Sequence, residues 1–250
     1  QNTLIGVRDP FGIRPLVIGK INDSYVFASE TCALDIIGAK FIRDVDNGEI
    51  VYIENGKLNS IKPFPPKKIR PCVFEYIYFS RPDSILNGEC AYEYRKRLGA
   101  ELAKETKIDA DLVVPVPDSG NAAAIGFSKH TGKNFDLGLI RNHYVGRTFI
   151  EPAQKIRSLG VKLKLNANKS SIKNKKIVLI DDSLVRGTTS HKIVKMLYDA
   201  GAKEVHMGIA CPQIRFPDFY GVDMPTKKEL LAANKSCLLY TSPSPRDRYI

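Results

Sequence analysis

The stretch that most constrains the fold runs from Ile177 to Thr189. Four apolar residues, 177–180, lead directly into two adjacent acids, Asp181 and Asp182. An uninterrupted apolar run is typical of a strand buried on both faces, as in parallel sheets that are covered by helices. A loop of small and hydroxylated residues follows, and then a helical pattern begins. This strand–loop–helix order predicts an α/β fold with a parallel sheet.

The same stretch predicts a ligand site, because open α/β sheets bind ligands at the carboxyl ends of their strands. Backbone N–H groups, hydroxyls and a helix amino end suit a phosphate. Paired carboxylates suit ribose hydroxyls or Mg²⁺. Two acids after a strand are also consistent with a plain helix cap, but that reading leaves the Gly-Thr-Thr at the helix entrance unexplained. The predicted phosphate loop comprises Ser183, Leu184, Val185, Arg186, Gly187, Thr188 and Thr189.

A second strand-end corner lies at residues 114–124. An apolar strand ends in the turn Asp118-Ser119-Gly120 and is followed by a helical segment of tiny side chains. Glycine and alanines allow a backbone to approach a ligand closely, and Ser119 with the exposed N–H groups suits pyrophosphate and its metal. An ordinary strand–turn–helix corner is the alternative. Two such corners on one sheet favour a single ligand that bridges both, so Asp118, Ser119 and Gly120 are predicted to bind phosphate.

Apolar periodicity and turn residues predict the remaining elements. Strands are predicted at 72–79, 111–116, 137–140, 176–180 and 204–210. Helices are predicted at 31–38, at 91–106 with Ala91, Tyr94, Leu98 and Leu102 on one face, after Gly120, and at 189–200 with Ile193, Leu197 and Ala200 facing the core. Asn55-Gly56 predicts a hairpin. Residues 142–168 carry few regular signals, and so long a stretch inside a domain predicts a functional loop.

Composition limits the classes of partner. The formal net charge is +11, which suits a polyanionic small substrate. The sequence has no stripe of basic residues interleaved with aromatic ones, the pattern expected of a nucleic-acid-binding protein. No apolar run approaches the length of a membrane span. The five cysteines form no Cys-x-x-Cys pair, so reduced thiols in the cytoplasm are expected rather than disulfides.

Several motifs, in order along the chain, resemble the amidophosphoribosyltransferase family, the glutamine phosphoribosylpyrophosphate (PRPP) amidotransferases. The similarity covers residues 4–236. Its motifs are residues 8–16 (RDPFGIRPL), 74–84 (FEYIYFSRPDS), 142–150 (NHYVGRTFI), 181–189 (DDSLVRGTT) and 220–226 (YGVDMPT). The resemblance implies a type I phosphoribosyltransferase parallel sheet, preceded by the C-terminal part of an N-terminal-nucleophile glutaminase domain.

The resemblance also implies the chemistry. Family members transfer the amide nitrogen of glutamine, or ammonia, to PRPP and form 5-phosphoribosylamine, pyrophosphate and glutamate, the first committed step of purine synthesis. The implied catalytic residues are Arg147, Lys164, Asp181 and Asp182. The implied Mg²⁺ ligands are Ser119, Asp181 and Asp182. Residues 142–168, rich in basic side chains, are expected to close over the ligand and exclude water.

Further expectations concern organisation and partners. Residues 1–70 are predicted to be glutaminase domain plus a proline-rich linker, 71–236 the transferase domain, and 237–250 a non-native or disordered tail. The family nucleophile is an N-terminal cysteine, so residues 1–250 are expected to use ammonia but not glutamine. Purine nucleotides are expected as feedback inhibitors and a homo-oligomer as the assembly.

An iron–sulfur cluster, which some family members carry, is not expected, because Asp218 stands where cluster-bearing members have cysteine. Cys72 alone falls at a plausible ligand position. Two alternatives to the amidotransferase stay open at this point. One is a purine-salvage transferase, which would lack the 8–16 segment. The other is a PRPP-binding regulator of the same fold without catalysis, which would be expected to lose residues 142–150.

Overall fold

A computed structural model of the chain describes residues 3–144, 164–220 and 226–235. The chain divides into two compact units. The first holds Gln1–Tyr94 and Asp218–Asp223, and the second holds Arg95–Pro217 and Met224–Ile250. This division falls inside a helix, whereas the sequence predicts a domain boundary at residue 70. The domain assignment stays a prediction, and its tail at 237–250 lies outside the described residues.

The first unit contains two three-stranded antiparallel sheets and one short helix. Its elements are β1 (Thr3–Val7), β2 (Val17–Ile21), β3 (Ser24–Ala28), α1 (Thr31–Ile36), β4 (Lys40–Asp44), β5 (Ile50–Glu54) and β6 (Lys57–Ile61). The sheets have the strand orders β1-β5-β6 and β3-β2-β4. The predicted hairpin at Asn55-Gly56 is confirmed, since β5 pairs with β6 across these two residues. Both turn residues have positive φ, as a two-residue hairpin requires.

Residues 72–79, predicted as a strand, are helical instead. A π-helical turn spans Glu75–Phe79. Aromatic and β-branched side chains favour a strand, but Glu75 overrides that preference. Its buried carboxylate lies 2.9 Å from Nε of Arg14 and accepts a hydrogen bond from Ser80 Oγ at 2.9 Å. A charged side chain is buried only when it is paired, and this pairing fixes the local backbone.

The second unit carries the predicted parallel sheet. The short hairpin of β7 (Ile85–Leu86) and β8 (Glu89–Cys90) still belongs to the first unit, and the division falls within α2 (Ala91–Glu105). The further elements of the second unit are β9 (Leu112–Pro115), α3 (Asn121–Thr131), β10 (Asn134–Phe135), β11 (Leu139–Arg141), β12 (Leu165–Ala167), α4 (Lys169–Ile172), β13 (Lys176–Asp181), α5 (Thr188–Asp199), β14 (Glu204–Ile209), a 3₁₀ turn (Lys227–Glu229) and α6 (Leu231–Asn234). The sheet order is β10-β9-β13-β14, and every pairing is parallel.

Core packing confirms one predicted helix face and corrects another. Ile193, Leu197 and Ala200 are buried as predicted. In α2, Ala91 is buried as predicted, but the next buried positions are Arg95, Gly99 and Ala103, each one residue beyond the predicted Tyr94, Leu98 and Leu102. A Cβ on Gly99 would lie 1.8 Å from the carbonyl oxygen of Ala123, so the backbones of α2 and α3 are in contact there. Neither Arg95 nor Gly99 has an apolar signal in the sequence.

Two elements near the predicted loop also differ from expectation. The predicted strand at 137–140 is β11, which lies outside the parallel sheet and pairs antiparallel with β12. Residues 165–167, expected to be irregular, form that partner strand. The edge strand of the parallel sheet is the short β10, where Asn134 and Phe135 pair with β9.

Candidate active site

Both predicted ligand corners lie at the carboxyl ends of neighbouring strands in the parallel sheet. β9 and β13 are adjacent parallel strands in which Pro115 is paired with Ile180. The N–H of Val116 donates to the carbonyl of Ile180 at 2.8 Å, one residue beyond β9. The turn at 116–120 and the loop at 182–187 therefore start side by side, as the sequence predicts for carboxyl ends of parallel strands.

The first corner is a turn packed against its own sheet. The N–H of Gly120 donates to Val116 O at 2.9 Å, and a Cβ on Gly120 would lie 2.5 Å from the carbonyl oxygen of Ile180. Ala122, Ala123 and Ala124 are buried beneath it. Glycine and alanines are therefore needed for backbone packing, a role that the sequence analysis did not assign to them.

An ion pair reaches this turn from β11. Nη1 of Arg141 donates to Oδ2 of Asp118, and both side chains are about half exposed. The N–H of Asn142, the next residue, donates to Lys164 O at 2.8 Å. The base of the segment between β11 and β12 is thus tied to the turn. The sequence analysis missed Arg141, because it set the start of the functional loop one residue later.

The paired acids of the second corner are buried at the end of their strand. Asp181 is the last residue of β13, and the side chains of Asp181 and Asp182 are only 8% and 7% exposed. The N–H groups of Ala210 and Cys211 donate to their carbonyls at 3.0 Å and extend the β13–β14 pairing past both acids. This continued pairing, which no local pattern shows, explains the burial.

The side chains of the two acids have few protein partners. Oδ1 of Asp181 accepts the N–H of Asp182 at 2.9 Å, and Oδ2 of Asp182 accepts Ser183 Oγ at 3.0 Å. Within the described ranges no lysine, arginine or histidine forms an ion pair with either carboxylate. Burial, followed by the neighbouring Asp182 charge, raises the pKa of Asp181 well above its usual range. A cation bound beside the two carboxyl groups would therefore favour the ionised form of Asp181.

The loop after the acids leads into the amino end of α5. Gly187 precedes the helix with φ of +78°, a left-handed conformation that favours glycine. In the part of the chain that is described, no side chain caps this end of α5. Its first N–H groups are free to face a ligand, which makes the end suitable for an anion. The residues that follow, Thr188 and Thr189, are exposed.

A distant part of the chain contacts this loop from outside. The N–H of Leu231 donates to Val185 O at 2.9 Å, and Nε of Arg186 lies 3.2 Å from Oε1 of Glu229. A Cβ on Gly187 would lie 3.1 Å from Cδ2 of Leu231. The sequence analysis missed Glu229 and Leu231, because nothing in their local sequence indicates the loop 45 residues earlier.

The donor set suits a hard cation such as Mg²⁺. Two neighbouring carboxylates with few protein partners and a nearby serine, Ser119, offer oxygen ligands. Across residues 3–144, 164–220 and 226–235 no group of three His, Cys, Asp or Glu side chains could hold a metal by itself. Mg²⁺ ordinarily binds through one or two carboxylates and completes its shell with water and substrate phosphates. The residues present therefore fit a cation that binds together with a phosphorylated substrate.

The two basic residues predicted to be catalytic differ in whether the structure describes them. Lys164 is described and lies at the base of the β11–β12 connection, whereas Arg147 and residues 145–163 lie outside the described residues. Cys211 lies beside the acids, where burial, followed by the Asp182 charge, raises the pKa of its thiol to about 12. It is therefore protonated at neutral pH and is not a thiolate nucleophile.

The structure also describes Cys72 and Asp218, the two positions considered for an iron–sulfur cluster. Cys72 and Asp218 belong to the same compact unit. The carboxylate of Asp218 accepts the N–H of Tyr220 at 2.7 Å, so it stabilises its own turn. The absence of an iron–sulfur cluster stays a prediction.

Comparison with known proteins shows similarity to amidophosphoribosyltransferases. The chain is 58% identical over 237 residues to the amidophosphoribosyltransferase of Rhizobium etli, covering 93% of this chain and 48% of that protein. It is 48% identical over 234 residues to the amidophosphoribosyltransferase of Archaeoglobus fulgidus, covering 94% of this chain and 51% of that protein. No family model matches the chain.

A solved structure gives the corresponding result for the fold. The glutamine PRPP amidotransferase of B. subtilis, solved in complex with ADP and GMP, superposes with a TM-score of 0.86 and is 48% identical. The match covers 94% of this chain and 52% of that one. The predicted α/β fold class is confirmed. The chain belongs to the amidophosphoribosyltransferase family and spans about half the length of the curated relatives it matches.

Proposed function

We propose that this chain binds PRPP across the two strand-end corners and transfers its phosphoribosyl group to ammonia, with glutamine as the nitrogen source in the whole protein. The single observation that carries the proposal is the adjacency of the corners. They start side by side on β9 and β13, joined by the bond from Val116 N–H to Ile180 O at 2.8 Å. PRPP has a phosphate at one end and a pyrophosphate at the other, and it needs two anion sites with a ribose site between them.

In this arrangement the loop at 183–189 holds the 5-phosphate. Its donors are backbone N–H groups and the hydroxyls at the amino end of α5, where the helix dipole favours negative charge. The buried carboxylates of Asp181 and Asp182 accept hydrogen bonds from the ribose hydroxyls. Buried acceptors of fixed orientation place the sugar carbon that reacts, which lowers the entropic part of the barrier.

The turn at 118–120 holds the pyrophosphate. Ser119 offers a hydroxyl donor, and the guanidinium of Arg141 offsets the charge of Asp118 beside it. Mg²⁺, held by Asp181, Asp182 and Ser119 together with the substrate, would supply neutralisation of the charge that develops on the leaving pyrophosphate. Lys164, at the base of the connection between β11 and β12, adds positive charge on the same side of the site.

The reaction balances without an oxidant or reductant. The nitrogen lone pair of ammonia forms the new C–N bond at the sugar carbon, while the bond from that carbon to the pyrophosphate oxygen breaks and its electron pair leaves with pyrophosphate. One proton is released from nitrogen. The transition state carries positive character at the sugar, which the buried carboxylates stabilise.

The proposal also covers feedback regulation, assembly and cellular compartment. A B. subtilis relative was solved with ADP and GMP, and this supports purine nucleotides as feedback inhibitors of this protein too. A homo-oligomer remains part of the proposal. In the described ranges no helix has the length and apolar character to cross a membrane. Cys32, Cys72, Cys90 and Cys211 are free thiols, which supports a reducing compartment such as the cytoplasm.

Release of pyrophosphate from PRPP tests the proposal. The chain is incubated with PRPP, ammonia and Mg²⁺, and pyrophosphate is measured with and without ammonia. Ammonia-dependent release is expected. Binding of PRPP without any release would favour the regulator that lacks catalysis, and failure to bind PRPP would contradict both functions.

A further inference from the structure

The residues that contact the phosphate loop from outside form one small structured segment, residues 226–235. Glu229 accepts hydrogen bonds from the N–H and Oγ1 of Thr226, both at 3.3 Å. Nδ2 of Asn234 reaches the carbonyls of Lys227, Lys228 and Leu230 at 2.8–3.0 Å. The Leu230 side chain is fully buried. The segment therefore holds its own shape and is anchored in the core.

Three contacts of different kinds join this segment to the loop. A backbone hydrogen bond connects Leu231 N–H to Val185 O at 2.9 Å, an ion pair connects Glu229 to Arg186 at 3.2 Å, and the Leu231 side chain covers Gly187. They act on three consecutive loop residues, 185, 186 and 187. An ion pair between exposed side chains contributes little by itself, but the backbone bond fixes the direction of the peptide groups next to it.

We propose that the segment at 226–235 positions the phosphate loop, with Leu231 as its main positioning residue and Glu229 as a secondary one. The inference rests on the proposed function, since it takes the loop as the site of the 5-phosphate. It adds a residue set that touches no substrate and acts through the backbone of residues 185–187. A site held in its productive geometry before binding loses less conformational entropy when the ligand arrives.

The structure offers a substitution that removes the backbone bond selectively. Leu231 is the first residue of α6, a position that accepts proline, and the preceding Leu230 has φ of −75° and ψ of 117°, which a following proline requires. Leu231→Pro therefore deletes the N–H donor without opposing the backbone. Leu231→Ala is the matched control, because it shortens the side chain and keeps the donor.

The experiment measures binding by calorimetry with two partial ligands in the presence of Mg²⁺. Ribose 5-phosphate probes the loop, and inorganic pyrophosphate probes the turn at 118–120. Leu231→Pro is expected to weaken ribose 5-phosphate binding roughly threefold to tenfold beyond Leu231→Ala, the range for one net hydrogen bond. Pyrophosphate binding should change by less than about twofold, because no hydrogen bond or ion pair among the described residues joins the turn to the segment.

Three outcomes would overturn the inference: equal ribose 5-phosphate affinity in the two variants, parallel weakening of both ligands, or an effect on pyrophosphate alone. Should Leu231→Pro lose its circular dichroism signal, Glu229→Gln decides, because it removes the charge of a half-exposed side chain and keeps an oxygen that can accept the hydrogen bonds from Thr226. It should weaken ribose 5-phosphate binding about twofold, while Lys228→Gln leaves it unchanged, and equal results for these two would reject the role of the segment. A wild-type chain that binds neither ligand would instead contradict the proposed function.

Discussion

The two corners of the site have the same place in the fold but are held in different ways. The turn at 116–120 and the loop at 182–187 each follow a central parallel strand and each precede a helix. The turn is stabilised by the sheet itself, through the bond from Val116 to Ile180 and the close packing of Gly120 on that carbonyl. The loop is open, carries a left-handed glycine, and is held by residues 226–235.

Because of this difference, substitutions at the turn are expected to affect mainly stability, and substitutions at the loop are expected to affect mainly ligand binding. At the turn, a change in side-chain volume strains the sheet backbone directly, so most substitutions there are expected to lower stability. At the loop, the residues nearest the sheet are two buried acids, and the ionised form of Asp181 opposes folding because burial raises its pKa. Functional sites often keep groups that are unfavourable for stability, and the loop has more of this character than the turn.

The largest expected effect is on turnover at the loop. Asp181→Asn or Asp182→Asn is expected to lower ammonia-dependent turnover by about 10²-fold, since carboxylates that hold a metal and orient the sugar contribute several kcal/mol to the transition state. Pyrophosphate release in single and double variants is the measurement. Near-normal turnover in the double variant would remove the acids from the mechanism.

The same substitution should have the opposite effect on folding. Burial raises the pKa of Asp181, so its ionised form opposes folding, and stability falls as pH rises above the ordinary value of 3.8. Asn carries no charge, so Asp181→Asn is expected to raise the midpoint of thermal unfolding at pH 7 in the absence of ligand. A lower midpoint at pH 7 would show that the acid is needed for the fold, and the contrast with the turn would be lost.

The next effect concerns the turn. Gly120→Ala is expected to lower the free energy of unfolding by about 3 kcal/mol, because its Cβ would meet backbone oxygens that cannot move away. The two oxygens, of Ile180 and Val116, lie 2.5 and 2.9 Å from the Cβ position. Ser119→Ala is the control: it should retain stability and weaken pyrophosphate binding. Chemical denaturation compares the two, and a Gly120→Ala variant as stable as wild type would contradict the packing role.

A smaller effect is expected at the glycine of the loop. Gly187→Ala should cost about 1 kcal/mol of stability, the penalty of a left-handed conformation for a residue with Cβ. Among the described residues, the nearest atom to its Cβ position is Cδ2 at the flexible end of Leu231, at 3.1 Å. Gly132→Ala is a matched control, since Gly132 has φ of +69° and open space around its Cβ position. Both should lower stability equally, but only Gly187→Ala should weaken ribose 5-phosphate binding.

The sequence predicted the elements whose signals are local. The strand before Asp181, the helix after Thr188 and the hairpin at Asn55-Gly56 each have an apolar period or a turn pair within a few residues. The convergence of the two corners could be predicted as well, because the carboxyl ends of parallel strands all lie at the same end of the sheet. Here local preference and global fold agree, which is the condition under which patterns are informative.

The features that the sequence did not predict depend on contacts between distant residues. The ion pair between the buried Glu75 and the half-exposed Arg14 accompanies a helical turn in a strand-like segment. Gly99 is on the buried side of α2, where the backbone of α3 packs against it. Leu231 reaches Val185 across 46 positions. None of these has a periodic or compositional signal, since each results from tertiary packing that overrides local preference.

The smallest expected effect concerns the ion pair that reaches the turn. The side chains of Arg141 and Asp118 are 40% and 51% exposed, so their pairing should contribute only about 0.2–1 kcal/mol to stability. Arg141→Ala nevertheless leaves the Asp118 carboxylate unpaired beside the proposed pyrophosphate site, where it repels the ligand. Pyrophosphate affinity should fall about fivefold by this repulsion, with Arg141→Lys close to wild type. Asp118→Asn in the Arg141→Ala background should restore most of the affinity, because it removes the unpaired charge. Calorimetric titration of the wild type and the three variants separates the cases. If the double variant binds as weakly as Arg141→Ala, then the guanidinium itself contacts the pyrophosphate, and the turn depends on a side chain from outside as the loop does.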